Sequence, residues 1–222
     1  MSFNDWVFHR QAIGTSLLFY DLTDIAPLFG SSSLLLKEYG IPTEETVGIR
    51  QSLYPQGLVS GSIQSAFFHQ GGAGFREYGI YFYSDSLDPT GGSVNCYLVT
   101  IPDSFSDVRL YQTSAGITSN SRTLIYEFLS PTIPNLGTPI LVKVSWHGGV
   151  FLSTFGGLHV RISLAIGSVL QSNLVVLTPD VVIPTPLSVI RGEGIYVRSS
   201  DSSEPVQHTV DRTKISQVIP LG

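Results

Sequence analysis

Over most of their length, two segments of the chain alternate apolar and polar side chains. In Leu158–Ile166, residues Leu158, Val160, Ile162, Leu164 and Ile166 fall on one side, and His159, Arg161, Ser163 and Ala165 on the other. In Ile140–Trp146, Val142, Val144 and Trp146 share a side, with Lys143 and Ser145 opposite. A period of two is incompatible with a helix, whose apolar face recurs every three or four residues. It demands a half-buried strand with one face on a core. Six more segments are rich in β-branched or aromatic residues and bounded by Gly, Pro, Asp or Ser: Thr15–Leu22, Gly61–Gln70, Tyr78–Ser84, Val94–Ile101, Val108–Gln112 and Thr123–Leu129. Helical signal is confined to Asp24–Tyr39, where Asp24 can cap, Pro27 suits an early position, and Gly40 and Pro42 stop the run. The linking loops Asp85–Ser93, Thr113–Arg122 and Pro131–Thr138 are long. Beyond Pro179, four prolines (179, 184, 186 and 205) and the polar run Ser199–Glu204 read as an extended arm. The expected fold is all-β: an eight-stranded antiparallel jelly-roll sandwich over residues 1–179, with one short helix and an extended Pro-rich C-terminal arm over 180–222.

Composition supports a folded chain with an unusual coat. Of 222 residues, 42% are hydrophobic, enough to offset the entropy of ordering. Charged residues make up only 13%, against about 25% in a typical soluble domain. Ser and Thr take their place. A neutral polar surface costs less to desolvate than a charged one and suits burial against other subunits. The single cysteine, Cys96, excludes an internal disulfide framework and a thiolate zinc site. No apolar run reaches the roughly 18 residues of a membrane span, the N-terminus lacks the order of a signal peptide, and there is no Asn-x-Ser/Thr sequon.

Motifs that carry chemistry are weak throughout. Gly71–Gly74 lies between strand signals, with no helix N-terminus to hold a phosphate. Ser60 in Gly57–Gly61 is misplaced for a nucleophile elbow. The histidines His9, His69, His147, His159 and His208 lack the paired spacing of a cupin-like metal site, although a set distant in sequence stays open. Glu77, Glu127 and Asp21 lie in or near strands, but no strand carries two carboxylates on one face, as a sandwich glycosidase needs. Cys96 lies among Val94 and Leu98 with no basic neighbour, which predicts a buried structural thiol. A net charge of −5 and only three lysines (Lys37, Lys143, Lys214) argue against binding nucleic acid through charge. No catalytic, cofactor-binding or metal-binding residue is assigned.

The order of these elements resembles the coat proteins of plant picorna-like viruses, the small coat protein of comovirus and cheravirus relatives above all. The resemblance covers roughly residues 12–186. It rests on Gly14–Asp21 as a first shell strand, the helical stretch after it, Val59–Ile63 opening a third strand, and Phe67–Gly74 as its turn. Tyr78–Ser84 stands for the next strand, and Phe128-Leu-Ser-Pro131 for the close of a central one. It departs at Leu58 and Val59, where an aromatic residue is usual, and at Met1. The resemblance implies a non-enzymatic capsid subunit located in the virion and assembled in the host cytoplasm. Its partners would be related coat proteins in an icosahedral shell and, through weak contact, the enclosed single-stranded RNA; no membrane is implied.

A second reading is a sugar-binding or phage-appendage β-sandwich, with Trp6, Trp146, Tyr111 or Tyr196 stacking on sugar rings. Trp146 falls on the inward phase of its strand, which favours core over ligand. A sandwich hydrolase is a third reading and needs a carboxylate pair in a cleft about 5–10 Å apart.

Overall fold

The computed structural model describes residues 6–13, 17–23, 33–39, 44–51, 57–70, 75–102, 107–129, 138–148, 157–167, 171–177, 180–200 and 206–217. The strands are β1 (Trp6–Ile13), β2 (Leu17–Thr23), β3 (Ser33–Tyr39), β4 (Glu44–Gln51), β5 (Gly61–Gln70), β6 (Phe75–Ser84), β7 (Cys96–Pro102), β8 (Asp107–Thr113), β9 (Arg122–Leu129), β10 (Ile140–Gly148), β11 (Leu158–Ile166), β12 (Val175–Val176), β13 (Val181–Ile183), β14 (Gly192–Ser200) and β15 (Val206–Gln217). One 3-10 turn, Gln171–Asn173, precedes β12. Among the described residues, no helix is long and apolar enough to cross a membrane.

Two antiparallel sheets result. The seven-stranded sheet runs β1-β4-β14-β6-β7-β8-β9. The eight-stranded sheet runs β12-β11-β10-β5-β15-β3-β2, with β13 also paired to β11. The sandwich and its antiparallel sheets are as the alternation predicts; all eight expected strands are present, but they are eight of fifteen among the described residues, so the expected eight-stranded count is too low. The phase of the alternation is also right: Val142, Val144, Trp146, Val160 and Ile162 lie in the main core. The two sheets meet through aromatic pairs. Phe82 of β6 stacks on Trp146 of β10 at 5.0 Å between centroids, and Phe67 of β5 stacks on Tyr78 of β6 at 4.7 Å. Trp146 Nε1 donates to the Leu58 carbonyl at 2.9 Å, so its polar edge is satisfied inside the core. The Tyr83 hydroxyl donates to the Val59 carbonyl at 2.8 Å, and Leu58 N–H donates to Glu193 at 2.9 Å. Three bonds thus fix the segment that leads into β5.

Two irregularities break the period of two and add residues to the core. In β6, Ser84 faces Gly192 while Tyr81 faces Gly194, so β6 carries one extra residue there. Tyr83 takes a φ of 54°, and both Phe82 and Tyr83 enter the core. In β15 the register shifts between Asp211 and Lys214, which lets Val210 and Ile215, five residues apart, face the same side.

The structure differs from expectation in two places. Ser33–Tyr39, read as the second half of a helix, is strand β3, hydrogen-bonded to β2 on one side and β15 on the other. Leu34–Glu38 are paired on both sides, and tertiary pairing overrides a weak local preference. Residues 24–32 of that expected helix lie outside the described residues. The extended arm is also absent as such. Residues 192–200 form β14 between β4 and β6, and residues 206–217 form β15 between β5 and β3. Pro184 and Pro186 fall between strands, where a missing N–H breaks no ladder; Pro179 and Pro205 lie outside the described residues.

Gly79 sits at the centre of the seven-stranded sheet, opposite Thr100 and Tyr196. A Cβ there would collide with the Val99 carbonyl oxygen and lie 2.8 Å from Tyr196 Cε1. Gly79→Ala is expected to destabilise the protein by about 1–3 kcal/mol through overpacking, read as a lower urea midpoint at unchanged slope.

Candidate functional site

Directly opposed residues in antiparallel strands share a face, so the register defines what the seven-stranded sheet shows away from the core. One row runs His9, Gly48, Tyr196, Gly79, Thr100, Arg109, Glu127 from edge to edge. The next holds Gln11, Thr46, Arg198 and Glu77. Both rows are mostly polar, yet Thr46, Glu77, Thr100, Tyr196 and Arg198 are buried. The loops 85–95 and 114–121 cover them. A Cβ on Gly48 would lie 2.7 Å from Pro89 Cγ and 3.0 Å from Ile117 Cδ1, which shows how closely both loops approach. Tyr81, Cys96, Leu98, Ile117 and Tyr196 form a second apolar cluster beneath them.

A buried charge network holds this layer. Arg122 Nη1 donates to both carboxylate oxygens of Glu77, at 2.8 and 2.9 Å. Its Nε donates to the Ser119 carbonyl at 2.8 Å and its Nη2 to the Ile117 carbonyl at 3.0 Å. The Tyr196 hydroxyl donates to Glu77 Oε1 at 2.8 Å. Burial, and then the Glu77 charge, hold the Tyr196 phenol well above its usual range, so it remains a donor. Arg198 Nη2 donates to Asn120 Oδ1 at 2.9 Å. The loops themselves are closed by short-range bonds. Asp85 accepts from the backbone and side-chain nitrogens of Asn95, and Asp88 accepts from the N–H and hydroxyl of Thr90.

The accessible part of this face lies at β8–β9. Arg109 Nε donates to Glu127 Oε1 at 2.7 Å, and Arg109 also lies 3.6 Å from Asp107. The hydrogen bond to Glu127 raises the guanidinium pKa above its ordinary value, against a smaller opposing effect of burial. Next to them Tyr111 is half-buried, and Leu124, its cross-strand partner, is 49% exposed. The Arg122 guanidinium lies 5.9 Å from the Tyr111 ring centre. The result is an aromatic ring beside an anchored fork of N–H donors and two carboxylates.

The residues singled out in the sequence divide sharply. Trp146 and Tyr196 are buried, so neither can stack on a ligand; Tyr111 is partly accessible. The side chains of Trp6, Asp21, His69 and His208 and the segment Gly71–Gly74 lie outside the described residues. Glu127 pairs with Arg109 and Glu77 with Arg122. Ser60 is buried, and burial raises the Cys96 thiol to about 12, as its apolar neighbours suggest. His9 lies 3.5 Å from Asp88, whereas His147 and His159 are brought together with Asp180 on the outer face of the other sheet. Sequence reasoning missed Arg109, Arg122, Arg198 and Asp180. The one available signal was the out-of-phase charge in Val108-Arg-Leu-Tyr and Tyr196-Val-Arg.

No protein-family model matches the chain, and no curated protein matches it. Solved structures do. The exoplasmic/lumenal domain of VIP36, bound to Ca2+ and Man3GlcNAc, is 13% identical at a TM-score of 0.56, covering 100% of this chain and 87% of that one. The PL-14 alginate lyase from Aplysia kurodai is 9% identical at 0.54, covering 90% and 87%. The legume lectin-like domain from Entamoeba histolytica is 8% identical at 0.51, covering 97% and 91%. At such identities the likeness is one of fold.

These neighbours overturn the capsid resemblance, and with it the sister coat proteins and the enclosed RNA as partners: the similar structures are lectin-like domains and lyases. The physical reason is that the supporting words were short turn signals, which any antiparallel sandwich needs between strands. Phe128 and Leu129 of Phe128-Leu-Ser-Pro131, read as closing a central strand, instead end β9 at a sheet edge; Ser130 and Pro131 lie outside the described residues.

Removing Glu77 leaves Arg122 buried without its carboxylate. Glu77→Ala is therefore expected to cost about 3–5 kcal/mol, measured by chemical denaturation. Asp88 opposes burial with its bonds to Thr90 and its proximity to His9, and its pKa falls below the ordinary 3.8. A carboxyl with a depressed folded pKa contributes stability above its unfolded value and loses it as pH falls through the folded one. Asp88→Asn should accordingly lower the melting temperature at pH 6, and the difference from the parent should shrink below about pH 3.8.

Proposed function

We propose that the chain is a carbohydrate-binding β-sandwich module that holds a neutral saccharide against β8–β9 without cleaving it. The observation that carries this reading is the accessible strip of Tyr111, Arg109, Glu127 and Asp107 on the outer face of the seven-stranded sheet. A sugar ring has one apolar C–H face and a rim of hydroxyls. Tyr111 supplies a flat apolar surface with a polar tip, and the Arg109–Glu127 pair supplies donors and acceptors fixed in place before binding. Three of the solved structures with this fold are described as a carbohydrate recognition domain, a legume lectin-like domain and a glycan-bound lumenal domain, which supports the same class.

Charge favours a neutral ligand. The strip holds two carboxylates beside Arg109, Arg122 is taken up by Glu77, and the chain carries −5 overall. A polyanion such as alginate would meet repulsion both locally and at long range. The pairing of Glu127 with Arg109 and of Glu77 with Arg122 also supports binding over catalysis, since each carboxylate is already engaged by a guanidinium.

A glycan array followed by calorimetry tests this. A neutral oligosaccharide should bind, alginate should not, and the bound sugar should be recovered intact. Tyr111→Ala and, separately, Arg109→Ala should each weaken binding by about tenfold or more with the melting curve retained. Binding by neither class of glycan, or equal affinity in both variants, would overturn the reading, and release of cleaved sugar would replace it with a lyase or hydrolase.

A further inference from the structure

On the opposite side of the molecule, the outer face of the eight-stranded sheet carries a cluster with different chemistry. His147 of β10 and His159 of β11 are directly opposed in the antiparallel register. Their rings lie parallel, 4.9 Å between centroids and 20° between planes. The segment entering β13 brings Asp180 to the same place. Val181 pairs with Val160 and Val182 with His159, so the carboxylate arrives beside both His159 and Arg161. One ligand atom from each of His147, His159 and Asp180 lies within 4.8 Å of the others.

We propose that His147, His159 and Asp180 form a binding site for a divalent first-row transition metal of the zinc class. Three features support this assignment. The donor set is two imidazole nitrogens and one carboxylate oxygen, which suits zinc, copper or nickel; calcium and magnesium prefer oxygen donors alone. The carboxylate is held in orientation: Arg161 Nε donates to Asp180 Oδ1 at 2.8 Å, while Oδ2 lies 3.9 Å from His159 Nδ1. A hydrogen-bonded partner behind a ligating carboxylate is a recurring feature of metal sites. Finally, the closure required is small. Zinc bonds of about 2.0–2.1 Å in a tetrahedron place ligand atoms roughly 3.3 Å apart. His147 is exposed and His159 and Asp180 retain side-chain exposures of 20% and 27%, so rotation of their outer atoms can close the gap.

Three protein ligands leave a fourth position for water or a ligand atom from another molecule. A bound ion would also clamp β13, a three-residue strand at the sheet edge, to β10 and β11. The cluster is independent of the saccharide strip, which lies on the other sheet.

Untagged protein titrated with Zn2+ by calorimetry should bind one ion per chain, while Ca2+ and Mg2+ should give no heat. His147→Ala, at an exposed position, and His159→Asn should each weaken Zn2+ binding by about tenfold or more. Arg161→Ala, which removes only the partner behind Asp180, should weaken it by about 10–100-fold. Histidine ring signals of the parent should shift at one equivalent of Zn2+. Absence of saturable Zn2+ binding, or binding unchanged in both histidine variants, would overturn the proposal; the latter would move the ion to another donor set.

Discussion

The pairing of Arg122 with Glu77 lets one sheet carry structure on both of its faces. The guanidinium reaches the carboxylate from β9 and at the same time accepts the burden of loop 114–121 by donating to the carbonyls of Ser119 and Ile117. Glu77 in turn receives the Tyr196 hydroxyl from β14. One carboxylate therefore joins two strands and a loop that are up to 119 residues apart in sequence. With that joint in place, loops 85–95 and 114–121 roof the outer face, and Tyr81, Leu98 and Tyr196 are as fully buried as residues of the central core.

This roof also changes the meaning of the low charge content. A chain with 13% charged residues suggests a surface reserved for neighbouring subunits. Part of the neutral polar material is used within the single chain. Thr46, Ser65, Ser84, Thr90, Thr100 and Thr113 are all buried. Several of them close turns: the Ser84 hydroxyl donates to the Ser86 carbonyl, and Thr113 Oγ1 accepts from Ala115 N–H. Hydroxyls such as those of Ser84 and Thr113 serve here because they satisfy a nearby backbone group without the desolvation cost of a charge.

The fold was legible where burial is one-sided. β10 and β11 keep a period of two over most of their length, broken only where Leu141 and Ala165 join a small apolar cluster on the outer face, and their phase identified the inward residues. It was illegible where strands are covered on both faces or carry an extra residue. In β14, Tyr196 and Arg198 are as buried as Ile195 and Val197, so the usual contrast between faces disappears. In β15, the shift between Asp211 and Lys214 displaces the period midway. The site was less legible still. Tyr111 could be named from its residue type, but Arg109 and Glu127 become partners only through the register of β8 and β9. His147, His159 and Asp180 meet only after β10, β11 and β13 are laid side by side. Such sets are products of topology, and no spacing along the chain announces them.

The placement of the last two long strands governs how the molecule can be made. β14 lies inside one sheet and β15 inside the other, each flanked on both sides by strands formed much earlier in the chain. Until they are inserted, β4 and β6 have no ladder between them, and neither do β5 and β3. Before β14 and β15 pair, both sheets have open inner edges, and each is completed only by a strand distant in sequence from its neighbours. Folding of such a chain is governed by long loop closures, which makes it slow. Its vulnerable species is the chain in which β14 and β15 are not yet paired, whose unfilled slots invite a strand from another copy.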